Sequence, residues 1–495
     1  MGRTSQSTLI CLAAVSSLLA AGCAVGPDFS KPPAPPADAY AVSPVATAST
    51  AIAGGEAQRF ILGSDLTADW WTLFHSAPLD ALIQHSLTSN PDLKAAQAAL
   101  SAAHEGVLAQ RGVYYPAVSG SFSASRQRQA GTLAPTPASN AVLYNLFTPQ
   151  VSVSYVPDVF GLNRRTVESL QAQAQGVRFQ MIATYNTLTA NVAVTAIQQG
   201  SVQLQIQATH DLIDINTRSL EILRNQFARG YAGGLDVAAQ ESQLAQVAAT
   251  LPPLLKQAAQ LHDLMATLTG EFPGEATDAT FDLATLQLPQ DLPVSVPADL
   301  VTQRPDVRQA EADLHAASAR IGIAVANRLP NVTLSAATGS TALAVNQLLT
   351  SGTGFWSVGA DLTAPIFQGG ALLHQERAAK AAYDQAAAQY RSTVLAACQN
   401  VADTLAALAE DAEELKAAAA AADASKTTLD LAQRQWQDGY APYLTLLSAE
   451  QAYQQARINL VQAQASRYAD TAALFQALGG GWWHREALAA KAHGE

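Results

Sequence analysis

Val118-Ser119-Gly120-Ser121-Phe122-Ser123-Ala124-Ser125 alternates apolar or small residues with serine, position by position. A period of two belongs to an extended strand with two unlike faces; on a helix the same serines would scatter around the axis. After a loop rich in Gly, Thr, Ala, Pro and Asn, the alternation returns, with Val151, Val153 and Tyr155 set against Ser152 and Ser154. Later in the chain Val332, Leu334 and Ala336 alternate with Thr333 and Ser335. Trp356, Val358, Ala360 and Leu362 then alternate with Ser357, Gly359, Asp361 and Thr363. Four two-faced strands are predicted, as two hairpins, over residues 117–127 and 147–156 and over 331–340 and 354–364.

The second hairpin is a copy of the first. Asn90-Pro91-Asp92-Leu93 recurs as Arg304-Pro305-Asp306-Val307, 214 positions later, and the same offset carries Tyr115-Pro116 onto Leu329-Pro330. Pro157 and Gly161 match Pro365 and Gly369. Gly230-Tyr231-Ala232 matches Gly439-Tyr440-Ala441 at an offset of 209, which also joins Glu241 to Glu450 and Gly270 to Gly479. So ordered a series is a tandem duplication. Residues 66–273 form one repeat and 299–481 the other, with an inter-repeat segment at 274–298 and a tail at 482–495.

Each repeat has one grammar. A helix-like stretch (Ala77 to Val113; Ala298 to Arg328) leads to a proline turn and the hairpin. A very long polar, alanine-rich stretch comes next (Arg164 to Arg229; Leu372 to Asp438), with Gly176 and Gly200 as candidate interruptions of the first. At ~1.5 Å per residue, an unbroken helix of that size would reach about 100 Å. Ile206, Ile213, Leu220 and Phe227 hold heptad spacing, as do Leu408, Leu415, Ala422, Leu429 and Trp436. Leu244, Val247, Leu251, Leu254, Ala258, Leu261, Met265 and Leu268 supply a returning seam. These are antiparallel coiled-coil hairpins with tips near 227–240 and 436–450. Pro252-Pro253 should kink or restart the first return helix.

The N-terminus reads as an export signal over 1–22. Arg3 precedes an apolar run, Leu9 to Ala21, too short for a permanent span, which ends at Leu19-Ala20-Ala21-Gly22-Cys23. This resembles a bacterial lipobox, in which Cys23 becomes the first residue and carries S-diacylglycerol and N-palmitoyl groups; the other reading is an ordinary signal peptide cut after a small residue. Residues 23–65, beginning with Gly26-Pro27-Asp28 and a Pro/Ala-rich stretch to Ala39, read as an extended linker leaving that anchor. With Cys11 in the signal and Cys23 acylated, Cys398 stands alone, read as a small buried residue on a helix.

Composition narrows function. The 495 residues carry a formal charge of −12, which argues against nucleic acid. Hydrophobic residues are 49% and aromatic ones 6%, a balance set by alanine. Nine histidines lie scattered without a metalloprotease, phosphate-loop or nucleophile-elbow motif, and Glu311 with His315 reads as a solvated helical pair. Methionine occurs only at 1, 181 and 265, so no methionine cluster suggests a copper or silver relay. No later stretch has the ~18 apolar residues of a membrane helix, so any crossing falls to the strands. Four strands leave two open edges, which hydrocarbon does not tolerate, and a barrel needs about eight or more. Spanning strands therefore require sister subunits. A soluble coiled-coil adhesin or scaffold would escape that requirement.

The chain resembles the outer-membrane efflux factors, the TolC-like family, and its NodT-type lipoprotein branch. The resemblance rests on Gly22-Cys23 with Gly26-Pro27-Asp28, Trp70-Trp71-Thr72-Leu73-Phe74, Gln303-Arg304-Pro305-Asp306-Val307, Ala364-Pro365-Ile366-Phe367-Gln368-Gly369-Gly370, Gln399-Asn400-Val401-Ala402-Asp403, Gly439-Tyr440-Ala441-Pro442-Tyr443-Leu444 and Ala477-Leu478-Gly479-Gly480-Gly481-Trp482. It implies a mainly α fold with a β-barrel contribution: a homotrimer with four strands per chain, twelve in all, above an α-helical barrel. It implies an outer-membrane location, a periplasmic adaptor and an inner-membrane transporter of the resistance-nodulation-division type. The duct itself would use no cofactor and hydrolyse nothing. A type I protein-secretion duct shares this fold.

The same resemblance makes the tips the entrance. Gly230 and Gly439 are turn residues. Asp236 reads as an N-cap of the return helix or as a lock residue holding tips together. Where family members carry carboxylates on the second tip, this chain has Thr445 and Ser448, with Asp438 and Glu450 nearby. An entrance sealed by packing and hydrogen bonds is expected, with Tyr440, Tyr443, Leu446 and Leu447 as candidates.

Overall fold

Proline placement decides how each repeat begins. In the computed structural model, which describes residues 24–34, 40, 46–128, 143–275 and 281–485, the first helical stretch is two helices, α1 (Ala77–Ser89) and α2 (Pro91–Arg111). Ser76 caps α1 through its hydroxyl, which accepts from the Leu79 amide. The residue before a proline resists the helical conformation, so α1 stops at Asn90, at ψ 126°. The second repeat divides at the same place, into α5 (Pro297–Gln303) and α6 (Pro305–Ala326), with Arg304 extended. The single helix expected in each repeat is thus two.

A short β1 (Arg59–Leu62) precedes both pairs, and between them lie the strands β2 (Ala117–Arg128) and β3 (Leu143–Tyr155) and the helices α3 (Leu162–Ala228) and α4 (Gly234–Thr269). A short β4 (Asp291–Val294) runs parallel to β1. The second repeat continues with β5 (Asn331–Ser340), β6 (Gly354–Thr363), α7 (Ala371–Gln437) and α8 (Tyr443–Ala477). Among the described residues no helix is long and apolar enough to cross a membrane.

The 67-residue α3 is unbroken at both glycines. A Cβ on Gly200 would stand 3.0 Å from the backbone nitrogen of Leu283, so this glycine admits a crossing segment rather than ending a helix. Likewise α4 continues through Pro252 and Pro253. The carbonyls those prolines leave without donors belong to Ala248 and Ala249, which are exposed to water. Leu251 and Leu254, beside the prolines, still pack on the Val202, Ile206 and Leu261 cluster.

The described residues fall into two compact units. The first, drawn from residues 24–32, 99–128, 143–177 and 310–390, holds one antiparallel sheet in the order β2-β3-β5-β6. The second, drawn from the described residues between 33 and 98, between 178 and 309 and from 391 to 485, holds most of the apolar core. There Trp70 lies 5.5 Å from Phe475, and Phe74 packs on both Phe475 and Tyr468. Arg467 is wholly buried and donates to the Gly54 and Glu56 carbonyls and to Thr47, tying residues 46–58 down. The tail closes over this core, with the Trp482 indole donating to the Gln303 carbonyl at 2.6 Å and that of Trp483 to Asp65 at 3.0 Å.

Phe475 sits at the centre of that ring cluster. Phe475→Ala should lower stability by about 3–5 kcal/mol, read as a fall in the thermal unfolding midpoint of the detergent-solubilised protein; a midpoint within a degree of wild type would contradict the assignment of the core.

Candidate functional site: hairpin tips and a two-faced sheet

Both tips are built on one hydrogen-bond pattern. After α3, the Tyr231 amide donates to the Gln226 carbonyl at 2.8 Å while Gly230 holds φ at 79°. After α7, the Tyr440 amide donates to the Gln435 carbonyl at 2.8 Å with Gly439 at φ 77°. A six-to-one bond over a left-handed residue is a helix-ending turn that glycine alone forms without strain. At the start of α4 the Asp236 carboxylate accepts from the Gly233 amide at 3.1 Å. Asp236 therefore caps the return helix from inside its first turn, and not from the N-cap position itself.

The two tips pack on each other. Leu223, Ala432, Tyr443, Leu446, Leu447 and Ala449 form a buried cluster flanked by Val237 and Trp436. Trp436 meets the Tyr443 ring edge-on at 5.5 Å. The Tyr443 hydroxyl donates to Gln240 Oε1, and Gln240 Nε2 donates to the carbonyl and side-chain oxygens of Asn216 at 2.9 and 3.0 Å. One turn along, Gln451 donates to Gln243. Of the predicted residues, Tyr443, Leu446 and Leu447 share this interior. Tyr440 is 85% exposed, and Thr445, Ser448 and both turn glycines are exposed as well. Phe227, predicted in the seam, is 53% exposed, and the buried row runs Leu212, Asn216, Leu220, Leu223.

Sequence reasoning missed Asn216, Gln240 and Gln243. Their signal was a buried-row spacing occupied by amides, which a search for apolar seams passes over. It also placed Glu450 only as a nearby acid. The duplication explains its environment: Glu241, its counterpart, pairs with Arg224 at 2.7 Å on the surface, whereas Gln433 stands where that arginine would be. Glu450 is 6% exposed, its Oε2 has no partner among the described residues, and burial pushes its carboxyl up to about 7. Burial, with Glu450 and Asp236 adding to it, raises the Tyr443 phenol.

The sheet presents the second candidate surface. Its register sets Val118 opposite Val153, Val153 opposite Ala336, and Ala336 opposite Val358. The next row sets Ser119 opposite Ser152, Ser152 opposite Ala337, and Ala337 opposite Ser357. One face is thus largely apolar across all four strands and the other mostly small, hydroxylic or amide, with Asp361 its one acid among the described residues. Val118, Phe122, Trp356, Val358 and Leu362 are exposed. The edges are β2 and β6.

Cys23 and the signal segment lie outside the described residues. The segment from Ala24 to Lys31, expected as an extended linker, is docked against the fold. The Val25 amide donates to the Phe160 carbonyl, and Arg165 donates to the Val25 and Gly26 carbonyls and to Asp28. Gly26, at φ 92°, lies so close that a Cβ would meet Gly322 Cα at 2.4 Å. Phe29 stacks on His315 at 4.3 Å, and His315 bonds Glu168 while Glu311 bridges Lys31. Glu311 and His315 are therefore not a mutual pair. Cys398 is half-buried on α7, and burial raises its thiol.

A profile described as "Outer membrane efflux protein" matches residues 82–271 and again 296–480. The chain belongs to the outer membrane efflux protein family. Among its relatives, the "Probable efflux pump outer membrane protein TtgC" of Pseudomonas putida KT2440 is 30% identical over 483 residues, covering 95% of each chain. OprJ of Pseudomonas aeruginosa is 27% identical, covering 94% of this chain and 96% of its own. The solved outer-membrane channel OprN superposes with a TM-score of 0.82 at 27% identity, over 93% of this chain and all of its own. Campylobacter jejuni CmeC, at 20% identity and a TM-score of 0.84 over 95% of this chain and 97% of its own, has the same fold. The chain is an outer-membrane protein of efflux.

Glu450 gives the tip a pH dependence of known sign. Its proton is held to about pH 7 in the packed tip but is shed near 4.5 when exposed. The packed tip is thus firmest in acid and loses this support as pH rises from about 4.5 through about 7, by on the order of 3 kcal/mol. Glu450→Gln mimics the neutral carboxyl at every pH. Its unfolding midpoint should match wild type near pH 4.5 and exceed it above pH 7; a difference independent of pH would refute this.

Proposed function

We propose that this protein is the outer-membrane duct of a tripartite efflux pump, a passive channel closed by three copies of the chain. The register of the sheet carries this reading. Its apolar face suits hydrocarbon and its hydroxylic face suits water, as in a barrel wall. Hydrocarbon leaves no solvent for the unpaired amides and carbonyls of β2 and β6, so β2 of one copy pairs with β6 of the next. Three copies give twelve strands. The helical hairpins are too polar for lipid and enclose the periplasmic part of the duct.

Serine, threonine and small residues predominate on the polar face, joined by Gln127, Tyr144, Gln150 and Asp361, which suits a permissive path for drugs and other toxic small molecules. Names among the relatives, such as "Antibiotic efflux pump outer membrane protein ArpC" and "Toluene efflux pump outer membrane protein TtgC" from Pseudomonas putida, both 30% identical, support that cargo class. Energy comes from an inner-membrane transporter of the resistance-nodulation-division type through a periplasmic adaptor. Cys23 carries the lipid; the docking of Ala24 beside Gly161, at the base of the strands, supports an anchor at the membrane surface. The adaptor opens the entrance by engaging the tips, where Gly230, Asp236, Gly439, Tyr440, Thr445 and Ser448 offer the exposed surface and Tyr443, Leu446 and Leu447 the packing that keeps it shut.

Deletion should raise susceptibility to several antibiotics or solvents, and the intact gene should restore tolerance; unchanged susceptibility across a broad panel would sink the reading. Complementation with Cys23→Ala tests the anchor separately and should give weaker rescue with the protein poorly retained in outer-membrane fractions. In planar bilayers the trimer should show a low closed-state conductance, and Asp236→Ala combined with Tyr440→Ala should raise it severalfold. No change would remove those two residues from the lock.

A further inference from the structure

The strands and their outer loops are almost free of charge, which makes two arginines conspicuous. No carboxylate occurs between Glu105 and Asp158, nor between Asp313 and Asp361. From Ala117 to Tyr155 the only ionised side chains are Arg126 and Arg128. The register puts both on the apolar face, in line with Val118, Phe122 and Ala124, opposite Asn145 and Leu143. Both are exposed, and neither has an ion-pair partner among the described residues.

Their end of the sheet is fixed by the connections. Helices α2 and α3 join β2 and β3 at one end, where Ala117 faces Ser154, and α6 and α7 join β5 and β6 at that same end, where Asn331 faces Thr363. The docked Ala24 lies at this end too, beside Gly161. Arg126 and Arg128 stand at the other end, which on the barrel reading is the side that faces the cell exterior.

Strand geometry sets their height. With a rise of ~3.4 Å per residue and a tilt of ~40°, Arg128 stands about 26 Å above Val118, and Arg126 about 21 Å. An outward apolar belt is ~25 Å tall. A guanidinium is costly in mid-bilayer and tolerated at its edge, where a long side chain reaches the headgroups. Two such groups, ~6.8 Å apart on alternate residues, present planar forks that bind phosphate oxygens in pairs.

We propose that Arg126 and Arg128 form a phosphate-binding clamp for the phosphorylated glycolipid of the outer leaflet, gripping its anionic headgroup as it lies against the apolar face of the sheet. The proposal rests on the barrel reading given above, because it needs that face to meet lipid. A bulky anionic glycolipid is favoured over a phospholipid because the clamp lies at the exterior edge and carries positive charge unrelieved by any acid of its own hairpin. A guanidinium also takes the place of the divalent cation that otherwise bridges neighbouring headgroup phosphates, so this contact is independent of added calcium or magnesium.

The test uses the full-length trimer in neutral detergent, titrated with diphosphorylated lipid A, its dephosphorylated form and phosphatidylglycerol, with bound lipid read by native mass spectrometry. Wild type should bind the diphosphorylated form at least tenfold more tightly than the other two, and should keep it in EDTA. Arg126→Gln with Arg128→Gln should lose that preference while the trimer and its bilayer conductance persist. Equal binding by variant and wild type, equal binding of the dephosphorylated lipid or of phosphatidylglycerol, or release by EDTA would each overturn the clamp. Those comparisons on wild type need no variant. Loss of the trimer from wild type itself would show instead that the barrel reading had failed.

Discussion

Hydrocarbon cannot hydrogen-bond to a peptide group, and that single restriction governs this molecule. The sheet β2-β3-β5-β6 satisfies its interior strands and leaves one edge of β2 and one of β6 unpaired. In water such edges invite aggregation; in lipid each unpaired group costs several kcal/mol. Symmetric closure removes every edge at once. The strict alternation along the strands is the sequence-level trace of the same restriction, because a wall between lipid and water needs opposite chemistry on adjacent residues.

Duplication supplies the pieces, and divergence makes them different. The two tip turns share their glycine, their six-to-one hydrogen bond and their following tyrosine. Their interiors do not match. Tyr443 stands where the first tip has Gly234, and Gln240 and Gln243 stand where the second has Ala449 and Ala452. One tip gives the Gln240 and Gln243 amides and the other the Tyr443 phenol and the Gln451 amide, so the contact between tips is heterologous. Glu241 and Glu450 diverged likewise, one kept on the surface by Arg224, the other buried where glutamine stands in the arginine's place. A duplicated hairpin thus became two halves of one joint.

Strand alternation and the paired landmarks of the two repeats were plain in the sequence, because both are short-range patterns with a fixed period. The features that escaped depend on partners far away in sequence. Gly200 looked like a helix break, yet the backbone of Leu283 is pressed against it. Pro252-Pro253 looked like a kink, yet the residues whose carbonyls they free, Ala248 and Ala249, are exposed and the helix runs on. Gly26-Pro27-Asp28 looked like linker, since nothing local shows that Arg165 grips its carbonyls and its aspartate. Glu450 was legible as an acid but not as a buried one. Its burial depends on packing against a tip more than two hundred residues away in sequence, which no local pattern shows.

The tip joins two problems that one device solves. Alanine-rich seams have small knobs and discriminate weakly between registers, so a long hairpin of this composition can slide at little cost. A buried polar pair penalises such slippage, because any shift strands a donor or acceptor away from water. Asn216, Gln240 and Tyr443 form a chain of this kind, and Gln243 with Gln451 forms a second. Register is therefore set near the tips, where misalignment would matter most for a seal. The polar groups themselves are hydrated readily once separated, so their share of the joint exchanges protein partners for water at modest net cost. An apolar seam of equal area would resist opening through every square ångström it exposed. Under the gating proposed above, the amides and the phenol fix the register of the closed joint, while the apolar cluster around Leu223, Leu446 and Leu447 resists its opening.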